Sequence, residues 1–136
     1  MSDIQTVAIP HSPLGASGSG RWMHCPGSIQ LAKRLDIHGS KSGFAAKEGT
    51  AAHEVLARCV ENYPETHEPW EFMGTKVIVE GDEFEVDQKM VGALNLCFNH
   101  MMDDIKRAES EGEIMLFTEV SMKHSKHELM YGTTDC

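Results

Sequence analysis

Phe44-Ala-Ala-Lys-Glu-Gly-Thr-Ala-Ala-His-Glu-Val-Leu-Ala-Arg-Cys-Val-Glu-Asn-Tyr63 carries a strong helical pattern with one residue that the helix does not need. Ala52, Val55, Leu56, Cys59, Val60 and Tyr63 recur at helical spacing and form one apolar stripe, while Glu54, Arg58 and Glu61 point the other way. His53 belongs to neither group. At roughly 100° per residue it lies about a quarter-turn from the centre of the stripe, on the boundary of core and solvent, with Gly49 one turn earlier on the same side. A glycine inside a helix costs about 1 kcal/mol relative to alanine, but it leaves space beside the imidazole for an ion or a backbone. Read from this segment alone, His53 is a boundary histidine capping a local contact. The segments on either side give it a second reading.

Upstream, residues 1–20 are rich in Ser, Gly and Pro and show no sustained period, which predicts a flexible N-terminal arm ending in a serine cap. Arg21-Trp-Met-His-Cys25 reads as a short helical turn closed by Pro26, and Ser28 opens a second helix with Ile29, Leu31, Ala32 and Leu35 as its inner face. Trp22 and Cys25 share a face and are expected to plug the core end of the neighbouring helix. Downstream, Thr75 to Val86 reads as a hairpin around a Glu-Gly-Asp turn. Asp87 then caps a long helix to about Ser110, with Met90, Val91, Leu94, Cys97, Phe98, Met101, Met102 and Ile105 as its buried stripe.

After Glu113 the period changes. Ile114, Leu116, Val120 and Met122 alternate with Met115, Phe117, Glu119 and Ser121, predicting a strand whose second face is apolar except at Glu119. A carboxylate in that company has to be paired, protonated or bound to a cation. Lys123-His-Ser-Lys-His127 makes a basic turn, and Leu129 to Cys136 returns as a second strand on which Asp135, depending on register, shares a face with Glu119. The fold class expected is α+β: a domain over residues 21–136 in which N-terminal helices pack on a small antiparallel sheet.

Composition narrows the function. A chain of 136 residues with 40% hydrophobic residues is the size of one domain. Its net charge of −9 argues against holding nucleic acid by a general basic surface, so any DNA contact has to be local or helped by bound cations. No apolar run approaches the ~20 residues of a membrane span, and the N-terminus lacks the marks of a signal peptide; a cytoplasmic protein with no membrane partner is expected. Cys25, Cys59, Cys97 and Cys136 are widely spaced, which supports neither a disulfide framework nor a zinc knuckle. A zinc site from His24, Cys25, Cys59, His124 and His127 lacks compact ligand spacing.

Four pieces stand in order: Ser17-x-Ser-Gly-Arg-Trp22-x-x-Cys25-Pro26-Gly27-Ser28, then Glu48-Gly49-Thr50-Ala51-Ala52-His53-Glu54, then Glu119-Val120, then Gly132-Thr133-Thr134-Asp135. Together they resemble the RecB-like exonucleases of the PD-(D/E)XK nuclease superfamily, and more narrowly a branch common in phages and prophages. The resemblance implies the front part of a PD-(D/E)XK, restriction-endonuclease-like core and a metal-dependent DNA nuclease, an exonuclease acting in phage DNA processing or recombination within a bacterial or phage-infected host cell. It implies His53, Glu119 and Asp135 as catalytic residues, with His53 and Asp135 as ligands of Mg²⁺ or Mn²⁺, hard cations suited to carboxylate oxygens and an occasional imidazole. Some relatives hold an iron–sulfur cluster; no cluster is expected here, and Cys25 is read as structural. The family's (D/E)-x-K pair would lie beyond Cys136, so the chain is expected to be an incomplete catalytic domain, inactive alone, whose sheet is completed by self-association or by a strand of another chain. The alternative is a catalytically inactive nuclease-derived module that binds a protein partner or a DNA end.

Overall fold

The computed structural model describes residues 3–6, 12–37, 43–118, 120–123, 125–126 and 128–134. Among them the fold is α+β, with four α-helices: α1 (Ser19–His24), α2 (Gly27–Arg34), α3 (Phe44–Val60) and α4 (Gln88–Glu111). The strands are β1 (Ile4–Gln5), β2 (Lys76–Val79), β3 (Asp82–Glu85), β4 (Val120–Lys123) and β5 (Tyr131–Thr134). The chain forms two compact units. One comprises the described residues of Met1–Ala8 and Gly43–Glu119, the other those of Ile9–Ser42 and Val120–Thr134.

The first unit is built around α3. Ala51, Val55 and Cys59 are fully buried and Val60 nearly so, and the helix packs against β2, β3, α4 and the 3-10 turn Pro69–Phe72. Ala52 and Leu56 are half-buried beside them, so the apolar stripe lies where its spacing places it, with Ala51 added to its centre. The hairpin expected between Thr75 and Val86 is present as β2 and β3, paired antiparallel with Val77 opposite Phe84. Its two-residue loop, Glu80-Gly81, holds both residues at positive φ (50° and 86°), the backbone of a tight hairpin turn that glycine adopts without steric cost. Lys47 of α3 reaches that loop, with its Nζ 2.5 Å from Asp82 Oδ2 and 3.5 Å from Glu80 Oε2, and the Phe44 and Phe84 rings meet with centroids 5.2 Å apart. The hydrogen bond to Asp82 raises the Lys47 pKa, outweighing the opposing effect of desolvation.

The α4 helix begins as expected: the Asp87 carboxylate accepts a hydrogen bond from the Met90 backbone N–H at 2.8 Å. Met90, Val91, Leu94, Phe98 and Ile105 are buried, with Met101 and Met102 packed at the margin. Cys97, read as part of this stripe, is exposed instead, because it falls at the edge of the helical arc that Leu94, Phe98 and Ile105 define.

Several expectations are corrected. Residues 1–20 are not an arm throughout. Ile4, 5% exposed, sits in β1, which pairs parallel with β2 (Ile4 opposite Val77), and Thr6 hydrogen-bonds to the Ile78 carbonyl through both its N–H and its Oγ1. The sheet of the first unit is therefore mixed, in the order β1-β2-β3, rather than purely antiparallel. No serine caps α1: Gly18 takes the N-cap position, with no side-chain hydrogen bond. The strand expected from Ile114 begins only at Val120; residues 113–118 have no ladder partner among the described residues, and Leu116 packs on the first unit's core. In the division into two compact units, β4 and β5 group with the N-terminal helices rather than with α3 and α4.

In the second unit, α1 and α2 contact each other, and Ser12 joins the N-terminal segment to β5. Its Oγ donates to the Leu129 carbonyl at 2.5 Å and accepts from the N–H groups of Leu14 and Tyr131. The Trp22 indole N–H donates to the Gly15 carbonyl at 3.1 Å, and the ring is half-buried, while Cys25 is exposed, so the pair does not form the expected plug. The inner face assigned to α2 is also open: Leu31 is 57% exposed and Leu35 60%. Its spacing was amphipathic, but no described element covers that face.

The packing of α3 sets a test by thiol chemistry. Burial, reinforced by the Glu71 charge, pushes the Cys59 thiol up to about 12, so at pH 8.5 it stays protonated and out of reach. Iodoacetamide should modify Cys25 and Cys97 in the folded protein and Cys59 only after denaturant is added, as read by peptide mass mapping. Rapid native alkylation of Cys59 would show that α3 is not seated on the sheet as described.

Candidate functional site

His53 is carried by α3, in the helix turn between the buried Ala51 and Val55, and is itself exposed. Its position follows from the stripe. With Ala51, Val55 and Cys59 committed to the core, a residue two places after Ala51 is turned away by about 200°, and one two places before Val55 likewise. Glu54 and Arg58 form an i,i+4 ion pair at 2.9 Å on the adjoining face, as their spacing anticipates. Gly49 stands one turn before His53, and a Cβ built there meets no described atom within 4 Å.

Glu119 and Asp135 lie outside the described residues. Their chain neighbours are described: Val120 opens β4, Thr134 closes β5, and these two are register partners in an antiparallel ladder that continues through Ser121–Thr133, Met122–Gly132 and Lys123–Tyr131. The hairpin expected around the basic turn is thus formed, with its register now fixed. The basic turn is described only at Ser125 and Lys126, since His124 and His127 lie outside the described residues.

Among the described residues, no group of three or more His, Cys, Asp or Glu side chains is arranged to hold a metal ion. Of the residues considered for zinc, Cys59 is sealed in the hydrocarbon core with its thiol held protonated, the opposite of what a thiolate ligand requires. The donors that the motifs single out, an imidazole from His53 and carboxylates from Asp135 and Glu119, are of the chemical types that Mg²⁺ and Mn²⁺ accept.

Two features carried no sequence signal. Ser12 was read only as part of a mobile arm, yet its hydroxyl is the junction between that segment and β5. The other is an open groove of about 450 Å³ between the 3-10 turn and α4, lined by residues that include Glu68, Trp70, Glu71, Phe98, Met102 and Lys106. Its acidic groups are engaged. Glu71 accepts from the Glu68 backbone N–H at 2.9 Å and lies 3.0 Å from His67 Nδ1, and these bonds, the backbone one foremost, hold its carboxyl below the usual range. Glu68 accepts from the Trp70 indole N–H at 3.0 Å. The geometry is that of a capping box closing the 3-10 turn.

The chain belongs to a family described as "Protein of unknown function (DUF2800)", whose model matches residues 11–136. No curated protein and no solved structure was found to match it. Among the described residues, no helix is long and apolar enough to cross a membrane.

Gly49 provides a direct test of the space beside His53. Since an added methyl meets nothing described, Gly49→Ala should raise stability by up to about 1 kcal/mol, measured by denaturant unfolding with an unchanged m-value. A lower stability would mean that another part of the chain fills that space.

Proposed function

We propose that this protein is a metal-dependent DNA nuclease of the RecB-like, PD-(D/E)XK type, with a restriction-endonuclease-like core. The observation that carries the reading is the β4–β5 register. Val120 and Thr134, the described chain neighbours of the motif carboxylates Glu119 and Asp135, are register partners in that ladder. His53, exposed on α3 beside the open position of Gly49, supplies the imidazole.

His53 and Asp135 would hold Mg²⁺ or Mn²⁺, with Glu119 as a further carboxylate. Bound there, such an ion supplies Lewis-acid polarisation of a phosphoryl oxygen and a water of lowered pKa. The protein's own share would be to hold the His53 imidazole on a helix, a support stiffer than a loop. Mg²⁺ dehydrates reluctantly and keeps several waters, so a site with few protein ligands binds it weakly until substrate phosphate completes the shell. That places the DNA backbone among the ligands.

The test is degradation of linear DNA by the whole gene product with Mg²⁺ or Mn²⁺. Activity should be lost on chelation and fall by at least about 100-fold in His53→Ala and in Asp135→Asn, each with an unchanged circular dichroism spectrum. Cleavage that survives Asp135→Asn would assign the chemistry to other residues. DNA binding with no cleavage under any metal would favour the noncatalytic module instead.

A further inference from the structure

The charge of the chain is divided between its two units. Segments 9–42 and 120–134 contain six of the 12 Lys and Arg residues, but only Asp36 and Glu128 of the 21 Asp and Glu residues. The net charge of −9 therefore belongs entirely to the remainder, and the second unit is cationic. Five of its cations are described, Arg21, Lys33, Arg34, Lys123 and Lys126, and all five are exposed. They come from α1, the last turn of α2, the end of β4 and the turn after it, elements joined by the α1–α2 contact and the Ser12 hydrogen bonds. In the first unit four of the six cations are instead consumed locally: Lys47 pairs with Asp82 and Glu80, Arg58 with Glu54, Lys76 with Glu83, and Arg107 with Asp104. Arg21, Lys33, Arg34 and Lys123 form no ion pair with a described residue.

We propose that the second unit is the surface by which this protein holds the phosphate backbone of DNA. The proposal rests on the nuclease reading for the choice of polyanion; the location comes from the charge division. At ~0.15 M salt the Debye length is ~8 Å, so a phosphate responds to the charges near it rather than to the total of the chain. Duplex DNA presents one negative charge per ~1.7 Å, a density that several unpaired lysines and arginines in one unit can engage by releasing condensed counterions.

The experiment is fluorescence anisotropy of a labelled 20-base-pair duplex with the full chain in EDTA, across KCl from about 25 to 200 mM. Binding should weaken with salt, and each of Lys33→Gln/Arg34→Gln and Arg21→Gln/Lys123→Gln should cut affinity at least about 5-fold and lower the log–log salt slope by about 2. Lys89→Gln/Lys106→Gln removes the same charge from exposed positions of the first unit and should change affinity less than about 2-fold. Circular dichroism confirms that each variant is folded. No binding at the lowest salt, or equal losses in all three double variants, would overturn the proposal. So would a salt-sensitive self-association, lost in the same variants, that DNA does not compete for; the cationic unit would then be seated on a second copy's acidic unit. A chain that binds this way without ever cutting removes the nuclease reading and leaves this surface standing. Normal cleavage and binding by all the variants does the reverse.

Discussion

Everything in the first unit depends on sealing one helical stripe. Ala51, Val55 and Cys59 have no solvent exposure, and they meet residues from both the sheet and α4, which fixes the rotation of α3 about its axis. With that rotation set, His53 is turned off the centre of the buried arc, and it is exposed. The start of the helix also meets the β2–β3 hairpin, through the Lys47 ion pair with Asp82 and through Phe44 against Phe84. A buried cysteine and an exposed histidine six residues apart are thus two consequences of one packing constraint.

The parts legible in the sequence are those specified by local pattern. The spacing of Val55, Cys59 and Val60 located α3, the β-branched run around Glu80-Gly81-Asp82 located a hairpin, and Asp87 marked the start of α4 through its hydrogen bond to Met90 N–H. What was not legible depended on distant partners. Ile4 and Gln5 are too few to read as a strand, and their parallel partners Val77 and Ile78 are remote in sequence. Periodicity gave α2 an apolar face but could not say whether anything covers it, and Leu31 and Leu35 are open. For Ile114 to Phe117, alternation suggested a strand, but a strand requires a ladder and none is described there.

The candidate site divides in the same way. That His53 stands off the core face follows from counting residues along a helix; the meeting of Val120 with Thr134 does not, because a two-residue slip would keep the same faces. Ser12 had no signal at all, since a serine in a Gly/Ser/Pro stretch is ordinary until its partner strand is placed. The net charge of −9 argued only against a general basic surface, and the sum conceals the local basic character of the 9–42 and 120–134 segments.

The proposed nuclease function requires His53 and Asp135 to hold one divalent ion. Paramagnetic broadening by Mn²⁺ tests it most directly, in amide NMR spectra of the isotope-labelled chain with and without His53→Ala. The expected result is that micromolar Mn²⁺ broadens the amides of His53 and Thr134 together, that the acidic Asp103–Asp104 pair is unaffected at that concentration, and that His53→Ala weakens the broadening at Thr134. Broadening at Asp103–Asp104 alone, or an effect at Thr134 indifferent to His53, would contradict a shared site.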